Sequence, residues 1–254
     1  YTPLYDGQAR GAVIRIIAPV RKEVRAREMF GRLEEKGWVR FLVQDVREPI
    51  ACEEPIDYII HCASNAGPRE YGADPVGTMT TNFLGTQHLL DLAREKKVRK
   101  FLYVSTIEVY GDTQIEGAIG EHDFGTMDST NVRSCYPLSK KACETLAVSY
   151  QDQYQVPAVI GRLSYLYGPG MKKDDSKVVA QFARDIAGNR DIVMKSKGEQ
   201  LRSYTYISDA ASALFTILAK GMPGEAYNIA NPQSRMTIAQ MARTLAGLDP
   251  ERGL

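Results

Sequence analysis

The chain lacks the staples that a small secreted domain depends on. Its four cysteines, Cys52, Cys62, Cys135 and Cys143, form no Cys-x-x-Cys pair. A chain of 254 residues with 44% hydrophobic content can bury a core without disulfides. Reduced thiols and a cytoplasmic location are therefore expected, and a thiolate metal site is disfavoured. No apolar run approaches the roughly 18 residues of a membrane span. No basic stretch followed by an apolar one marks a leader, so a soluble protein is expected. Charge of one sign is lacking too: 32 Lys and Arg face 31 Asp and Glu, a formal net charge of +1. Such a balance sets up no global field to gather nucleic acid or an anionic membrane. Internal repeats and low-complexity tracts are missing. So is an initiator methionine, because the chain opens YTPLYDGQARGAVIRIIAPV, and an incomplete amino-terminal end is expected.

What is present is an alternation of short apolar runs with longer amphipathic stretches. AVIRIIAPV (12–20), VRFLVQDV (39–46), IDYIIHCAS (56–64), RKFLYVST (99–106) and PAVIGRLSYLYG (157–168) read as strands. Between them RAREMFGRLEEKG, TMTTNFLGTQHLLDLAREKK and PLSKKACETLAVSYQDQY space apolar residues three and four apart, as helices do. The pattern predicts an α/β fold, a parallel sheet covered by helices, over residues 1–168. From 169 to 254 it loosens into a helix VVAQFARDIAGN, a hairpin-like DIVMKSKGEQLRSYTYI, and helices near 209–220 and 237–247. A smaller lobe over the carboxyl edge of the sheet is expected there, where such folds keep their ligands.

The chemistry concentrates in SCYPLSKKACETL (134–146). Tyr136 and Lys140 are four apart and share a helix face, so both can point into one cleft. An ammonium beside a phenol favours the phenolate and draws its pKa from ~10 toward neutrality, where a general base works. In a chain with 14 tyrosines the pair alone decides little, and its context carries the case. HCAS ends a strand (61–64), TNFLGT lies in the next helix (81–86), VSTIEVYGD ends the following strand (104–112), and YPLSK follows (136–140).

In this order the motifs resemble the extended short-chain dehydrogenases/reductases, specifically the NAD-dependent epimerase/dehydratase family of nucleotide-sugar enzymes. The likeness runs from about residue 12 to 247 and is greatest to UDP-glucuronate decarboxylases, through ASNAGPREYGADPVGTMTTNFLGT, STIEVYGD and LRSYTYISD. The resemblance implies a Rossmann-like doubly wound sheet and a tightly held NAD that takes hydride from the sugar C4. It implies Tyr136 as base, Lys140 on the nicotinamide ribose, and Thr106 bonded to the reacting hydroxyl. Arg21, Asp45, Val46, Cys62, Ala63, Ser64 and Lys140 would line the cofactor. Arg202, Tyr165 and Asn82 would serve the substrate, with Asn82 mainly supporting the catalytic region. A homodimer paired through the helices that carry Asn82 and Tyr136 is implied as well.

Ile107 and Glu108 narrow the reaction. Related 4,6-dehydratases follow the threonine with an Asp-Glu pair that delivers and removes the protons of water loss, and Ile107 stands where that Asp belongs. Isoleucine cannot protonate a leaving hydroxyl, so dehydration is disfavoured. Decarboxylation of a β-keto acid needs a single proton donor, which the resemblance implies Glu108 would supply. A 4-epimerase, needing less still, is the alternative. Arg202 can clamp phosphate or carboxylate, because guanidinium pairs bidentately with their oxygens. Asp209 reads as a helix cap. Lys173 and Lys177 could meet phosphate but read better as solvated charge, and His61, Cys62 and Cys135 show no nucleophile pairing.

The front departs from the family. No Gly-x-x-Gly-x-x-Gly turn occurs in residues 1–30, so the first strand, the glycine turn and most of the first helix are expected to be missing from this chain. AVIRIIAPV matches the second strand. It ends PVRKE, with Arg21 and Lys22 where an acid would bond the adenine ribose, which leaves NADP open beside NAD. A catalytically silent nucleotide-sugar binder is the expectation if the turn is truly lost.

Overall fold

Short β-branched runs bounded by turns form strands, and the amphipathic stretches between them form helices. The computed structural model describes residues 14–171 and 174–248. The chain divides into two compact units, Tyr1–Cys52 and Glu53–Leu254.

In the first unit β1 (Ile16–Val20) pairs in parallel with β2 (Val39–Val43), with Ile16 opposite Val39 and Val20 opposite Val43. The connection is α1 (Glu23–Glu35), a continuous helix whose Arg27 bridges Glu23 at 2.9 Å and Glu34 at 3.1 Å. Parallel strands need such a crossover, because a tight turn can only reverse the chain.

The second unit holds a four-stranded parallel sheet in the order β3 (Tyr58–His61), β4 (Lys100–Thr106), β5 (Ala158–Leu163) and β8 (Ala226–Ile229). A six-residue helix α2 (Pro68–Ala73) follows β3, and two long helices carry the crossovers, α3 (Pro75–Lys96) and α4 (Cys135–Tyr154). Local chemistry sets their ends. Asp74 accepts the Gly77 N–H at 2.9 Å ahead of Pro75, whose missing N–H costs nothing in a first turn. At the other ends Lys97 and Gln155 take the left-handed conformation, with φ of 52° and 59°.

Both faces of this sheet are covered, as the doubly wound expectation requires. Leu102 and Val104 of β4 pack with Val159, Ala210, Ile217 and Ile229 against α6 (Ile207–Lys220). Alternation turns Tyr103 and Ser105 the other way, toward Lys140 and Glu144 of α4. The smaller lobe is built on β6 (Tyr165–Tyr167), β7 (Leu201–Tyr206) and β9 (Arg235–Thr237), with α5 (Val178–Ala187) and α7 (Ile238–Ala246) closing a core of Phe182, Tyr204, Met241 and Ala242.

Two expectations change. PAVIGRLSYLYG is not one strand, because the chain leaves the four-stranded sheet at Ser164 and enters the lobe. There the Ser164 amide donates to the Ile229 carbonyl at 3.0 Å while its hydroxyl bonds that of Thr205 at 2.7 Å. The hairpin over DIVMKSKGEQLRSYTYI does not form either. Residues 191–200 contain no strand, and β7 finds partners far away in sequence, β6 in parallel and β9 in antiparallel. Lys173 lies outside the described residues. Among those residues no helix is long and apolar enough to cross a membrane.

Candidate active site

The carboxyl end of β4 delivers the first two candidate residues. Where the strand stops, the Thr106 hydroxyl accepts the Glu108 N–H at 3.2 Å and caps a 3-10 turn over Ile107–Tyr110. Gly111 ends that turn at φ 69°, and a Cβ there would lie 2.4 Å from the Thr126 carbonyl oxygen, so no side chain fits. Glu108 is thereby held on the sheet's carboxyl edge, half-buried. Burial pushes its carboxyl up, with Arg202 and Lys177 pulling it back. Arg202, from β7, lies over the ring of Tyr165 at 4.6 Å.

The first turns of α4 add Tyr136 and Lys140, both buried. Tyr136 stacks flat on Tyr71 of α2, with centroids 5.1 Å apart and planes within 6°. Lys140 Nζ donates to the Val104 carbonyl at 2.8 Å and sits 4.6 Å from the Tyr103 ring centroid. Burial lowers the Lys140 ammonium to about 8, against the raising effects of Cys143, Cys62 and Glu144.

This corrects the electrostatic expectation for the pair. The Tyr136 phenol is not drawn toward neutrality. Burial raises it above the ordinary tyrosine value and Glu108 adds to the rise, while the Thr106 side chain acts in the opposite direction. Sharing a helix face does not make two side chains meet, and here Lys140 turns its charge toward the backbone of β4.

The remaining candidates fall in three places. Cys62, Ala63 and Ser64 follow β3, with the Ser64 hydroxyl buried and unpartnered among the described residues and Cys62 within the field of Lys140. Next to them His61 is buried, its Nε2 3.0 Å from the Thr86 hydroxyl, and burial lowers its imidazole to about 3, so it is neutral at physiological pH. Asn82 is not in the cleft. Its side-chain amide donates to the Ser139 hydroxyl at 2.8 Å and its main-chain carbonyl receives the Thr86 hydroxyl and the Cys143 thiol, so it ties α3 to α4. Arg21, Asp45 and Val46 belong to the first unit, Arg21 directly after β1 and the other two just after β2. Asp45 is held by the Arg47 amide and guanidinium, each at 2.9 Å, and these contacts with Arg21 nearby keep its carboxyl below the ordinary range. Among the described residues no group of three or more His, Cys, Asp and Glu could hold a metal ion.

The motifs sit in a fold that known proteins share. Residues 16–230 match the model of the NAD dependent epimerase/dehydratase family. The chain belongs to that family. UDP-glucuronic acid decarboxylase 6 of Arabidopsis thaliana is 35% identical over 218 residues, 84% of this chain and 62% of the relative. UDP-glucuronic acid decarboxylase 1 of Xenopus tropicalis is 33% identical over 204 residues, 80% of this chain and 47% of the relative. The chain thus spans about half to three-fifths of the length of these curated relatives. Among solved structures, a dTDP-glucose 4,6-dehydratase of Bacillus anthracis in complex with NAD superposes with a TM-score of 0.80 at 21% identity, covering 96% of this chain and 75% of that one. A UDP-glucose 4-epimerase of Thermotoga maritima with UDP-glucose gives 0.78 at 21% identity, covering 92% and 82%.

Sequence reasoning missed the polar core beside these residues. Arg162 of β5 pairs bidentately with Glu144 of α4, Nη2 to Oε2 at 2.7 Å and Nε at 3.1 and 3.2 Å. Its Nη1 donates to the Tyr110 hydroxyl at 2.9 Å and the Glu121 carbonyl at 2.8 Å, and the Ser105 hydroxyl donates to Glu144. Tyr110 in turn donates to Asn228 at 2.7 Å. The network joins β4, β5, β8, α4 and the Glu108 turn. An arginine inside an otherwise apolar strand was the signal available in the sequence, since charged groups are buried only when paired.

Proposed function

We propose that this chain is the catalytic part of an NAD-dependent nucleotide-sugar enzyme that oxidises a sugar C4 hydroxyl, most nearly a UDP-glucuronate decarboxylase. The observation that carries the reading is the grouping of Tyr136, Thr106, Glu108 and Arg202 around the end of β4 with an isoleucine, Ile107, where a dehydratase would need a second acid. The decarboxylase names of relatives at 33% and 35% identity support it.

The second unit has groups that fit a nicotinamide nucleotide. Ser64 carries an unpartnered buried hydroxyl at the end of β3, and Lys140 commits to one carbonyl acceptor while holding three N–H bonds. Cys62 and Ala63 complete that edge, and Asp45, Val46 and Arg21 are the adenosine-side candidates of the first unit. NAD, when bound, supplies the hydride acceptor and returns the hydride later. Arg21 keeps NADP as an alternative.

Tyr136 acts in its phenolate form, which a raised pKa makes scarcer but more basic, and takes the C4 hydroxyl proton while Thr106 orients that hydroxyl. With a ketone at C4 and a carboxylate on C5, the C5–carboxylate bond breaks, CO₂ departs, and its electron pair becomes an enolate. Glu108, whose carboxyl is raised by burial, delivers a proton to C5. Tyr136, whose own raised pKa favours the phenol, gives its proton back to the C4 oxygen. Arg202, stacked on Tyr165, holds an anionic group of the substrate. Asn82 serves this site indirectly, by fixing α3 against α4.

The 4-epimerase reading stands second, because it uses the same groups and omits the proton to C5. A homodimer fits the exposed apolar side chains on these helices, Val76, Met79 and Phe83 on α3 and Val148 on α4. The deciding experiment is a mass-resolved assay of the full-length protein with NAD and a panel of UDP-sugars. Loss of CO₂ from UDP-glucuronate supports the decarboxylase, and an isomer of unchanged mass the epimerase. NAD binding without turnover refutes the substrate class. Absence of both refutes the enzyme and leaves a silent binder.

A further inference from the structure

We infer that Tyr71 is a positioning residue for Tyr136, a flat platform that fixes the plane in which the Tyr136 phenol exchanges its proton. The inference rests on the role proposed above for Tyr136. A phenol's O–H bond and in-plane lone pair lie in the plane of the ring, because conjugation holds them there. Rotation about the bond joining ring and Cβ leaves the oxygen in place but turns its proton toward or away from a donor or acceptor. Rotation one bond earlier swings the oxygen itself. Contact against a parallel, offset ring face resists both motions.

Tyr71 is built to give that contact. Its ring is parallel to Tyr136 within 6° at 5.1 Å, and it is 1% exposed. Arg133 also lies over the Tyr71 ring, its guanidinium carbon 4.5 Å from the centroid. Arg133 and Tyr136 thus both contact the Tyr71 ring, and a cation over an aromatic ring adds to its hold. The backbone is tied as well, since the Cys135 thiol, next to Tyr136, donates to the Tyr71 carbonyl at 3.8 Å. These three residues, Tyr71, Cys135 and Tyr136, form a buried cluster of their own. α2 has six residues between Gly67 and Asp74, and this cluster gives that short element a purpose.

The Tyr71 hydroxyl is buried and finds no partner among the described residues. A phenylalanine fills the same space without the cost of burying an unpaired hydroxyl. The ring is the acting group, so Tyr71→Phe rescues what Tyr71→Leu loses.

The test uses the full chain with 3-fluorotyrosine placed at position 136 and its fluorine resonance recorded without substrate, together with steady-state kinetics. In the unsubstituted background the resonance is single and displaced by the neighbouring ring. Tyr71→Leu moves it toward the position of the free amino acid, and lowers kcat about 10- to 100-fold with KM within about threefold, as a misaligned proton-transfer group does. Tyr71→Phe keeps the displaced resonance and a kcat within about twofold. Arg133→Met, at an exposed position, broadens the resonance and lowers kcat by a smaller factor. The inference is overturned if Tyr71→Leu leaves resonance and kcat unchanged, or if Tyr71→Phe loses as much kcat as Tyr71→Leu, which would make the hydroxyl the acting group. Should Tyr71→Leu fail to fold, the Tyr71→Phe and Arg133→Met results decide. Resonances that respond as expected in a protein that turns over no UDP-sugar would uphold the stack and sink the enzymatic reading instead.

Discussion

Removing either half of the Arg162–Glu144 pair should cost far more than removing both. The two side chains are 11% and 7% exposed, and the guanidinium spends Nε and Nη2 on the carboxylate and Nη1 on Tyr110 and Glu121. Glu144→Leu leaves a buried cation against an apolar group, and Arg162→Met leaves a buried anion with the Ser105 hydroxyl. Breaking a buried pair from one side costs about 3–5 kcal/mol each, a large part of the 5–15 kcal/mol that holds a typical domain together. Replacing both by apolar groups of similar volume, Glu144→Leu with Arg162→Met, removes both charges at once. The double variant should lie within about 2 kcal/mol of the wild type, so the cycle yields a coupling of several kcal/mol. Urea titration followed by far-ultraviolet circular dichroism is the assay. Fluorescence would mislead, because the single tryptophan, Trp38, belongs to the first unit. Two single variants within about 1 kcal/mol of the wild type, or a double variant whose loss equals their sum, would refute the reasoning.

Four further outcomes follow from the site and its surroundings. Tyr136→Phe should abolish turnover while UDP-sugar binding by calorimetry stays within a few-fold, and unchanged turnover would remove Tyr136 from the mechanism. Glu108→Gln should lower release of CO₂ from UDP-glucuronate by about 10²-fold or more and slow any epimerisation far less, as product ratios by mass spectrometry would show. His61 is lowered from 6.5 to about 3 by burial, so the unfolded chain binds a proton that the folded one refuses. Stability is full above 6.5 and falls as pH drops toward 3, by about 2–3 kcal/mol near pH 4.5, and His61→Leu should flatten that limb in denaturant titrations at pH 7 and 4.5. Phe83→Glu should convert a dimer to monomer in analytical ultracentrifugation, and a wild-type monomer would defeat the α3–α4 pairing.

By itself the sequence determined where strands and helices lie, because periods of two and of three to four are written in neighbouring residues. RKFLYVST, TMTTNFLGTQHLLDLAREKK and PLSKKACETLAVSYQDQY became β4, α3 and α4 with ends shifted by a few residues, several of them set by a cap, a proline or a left-handed residue. It also determined the family, through motifs that carry Thr106, Glu108, Tyr136 and Lys140 in that order. Tertiary structure alone decided what those side chains face. Lys140 bonds a carbonyl 36 residues away, Cys135 reaches Tyr71 across 64, and Asn82 reaches Ser139 across 57. The break at Ser164 was equally hidden, since β5 and β6 share one apolar run and separate only because their partners, β8 and β7, lie in different sheets. A helical face tells which residues look the same way. Which neighbour they meet, and whether burial or a nearby charge governs their protons, is settled only when distant segments pack.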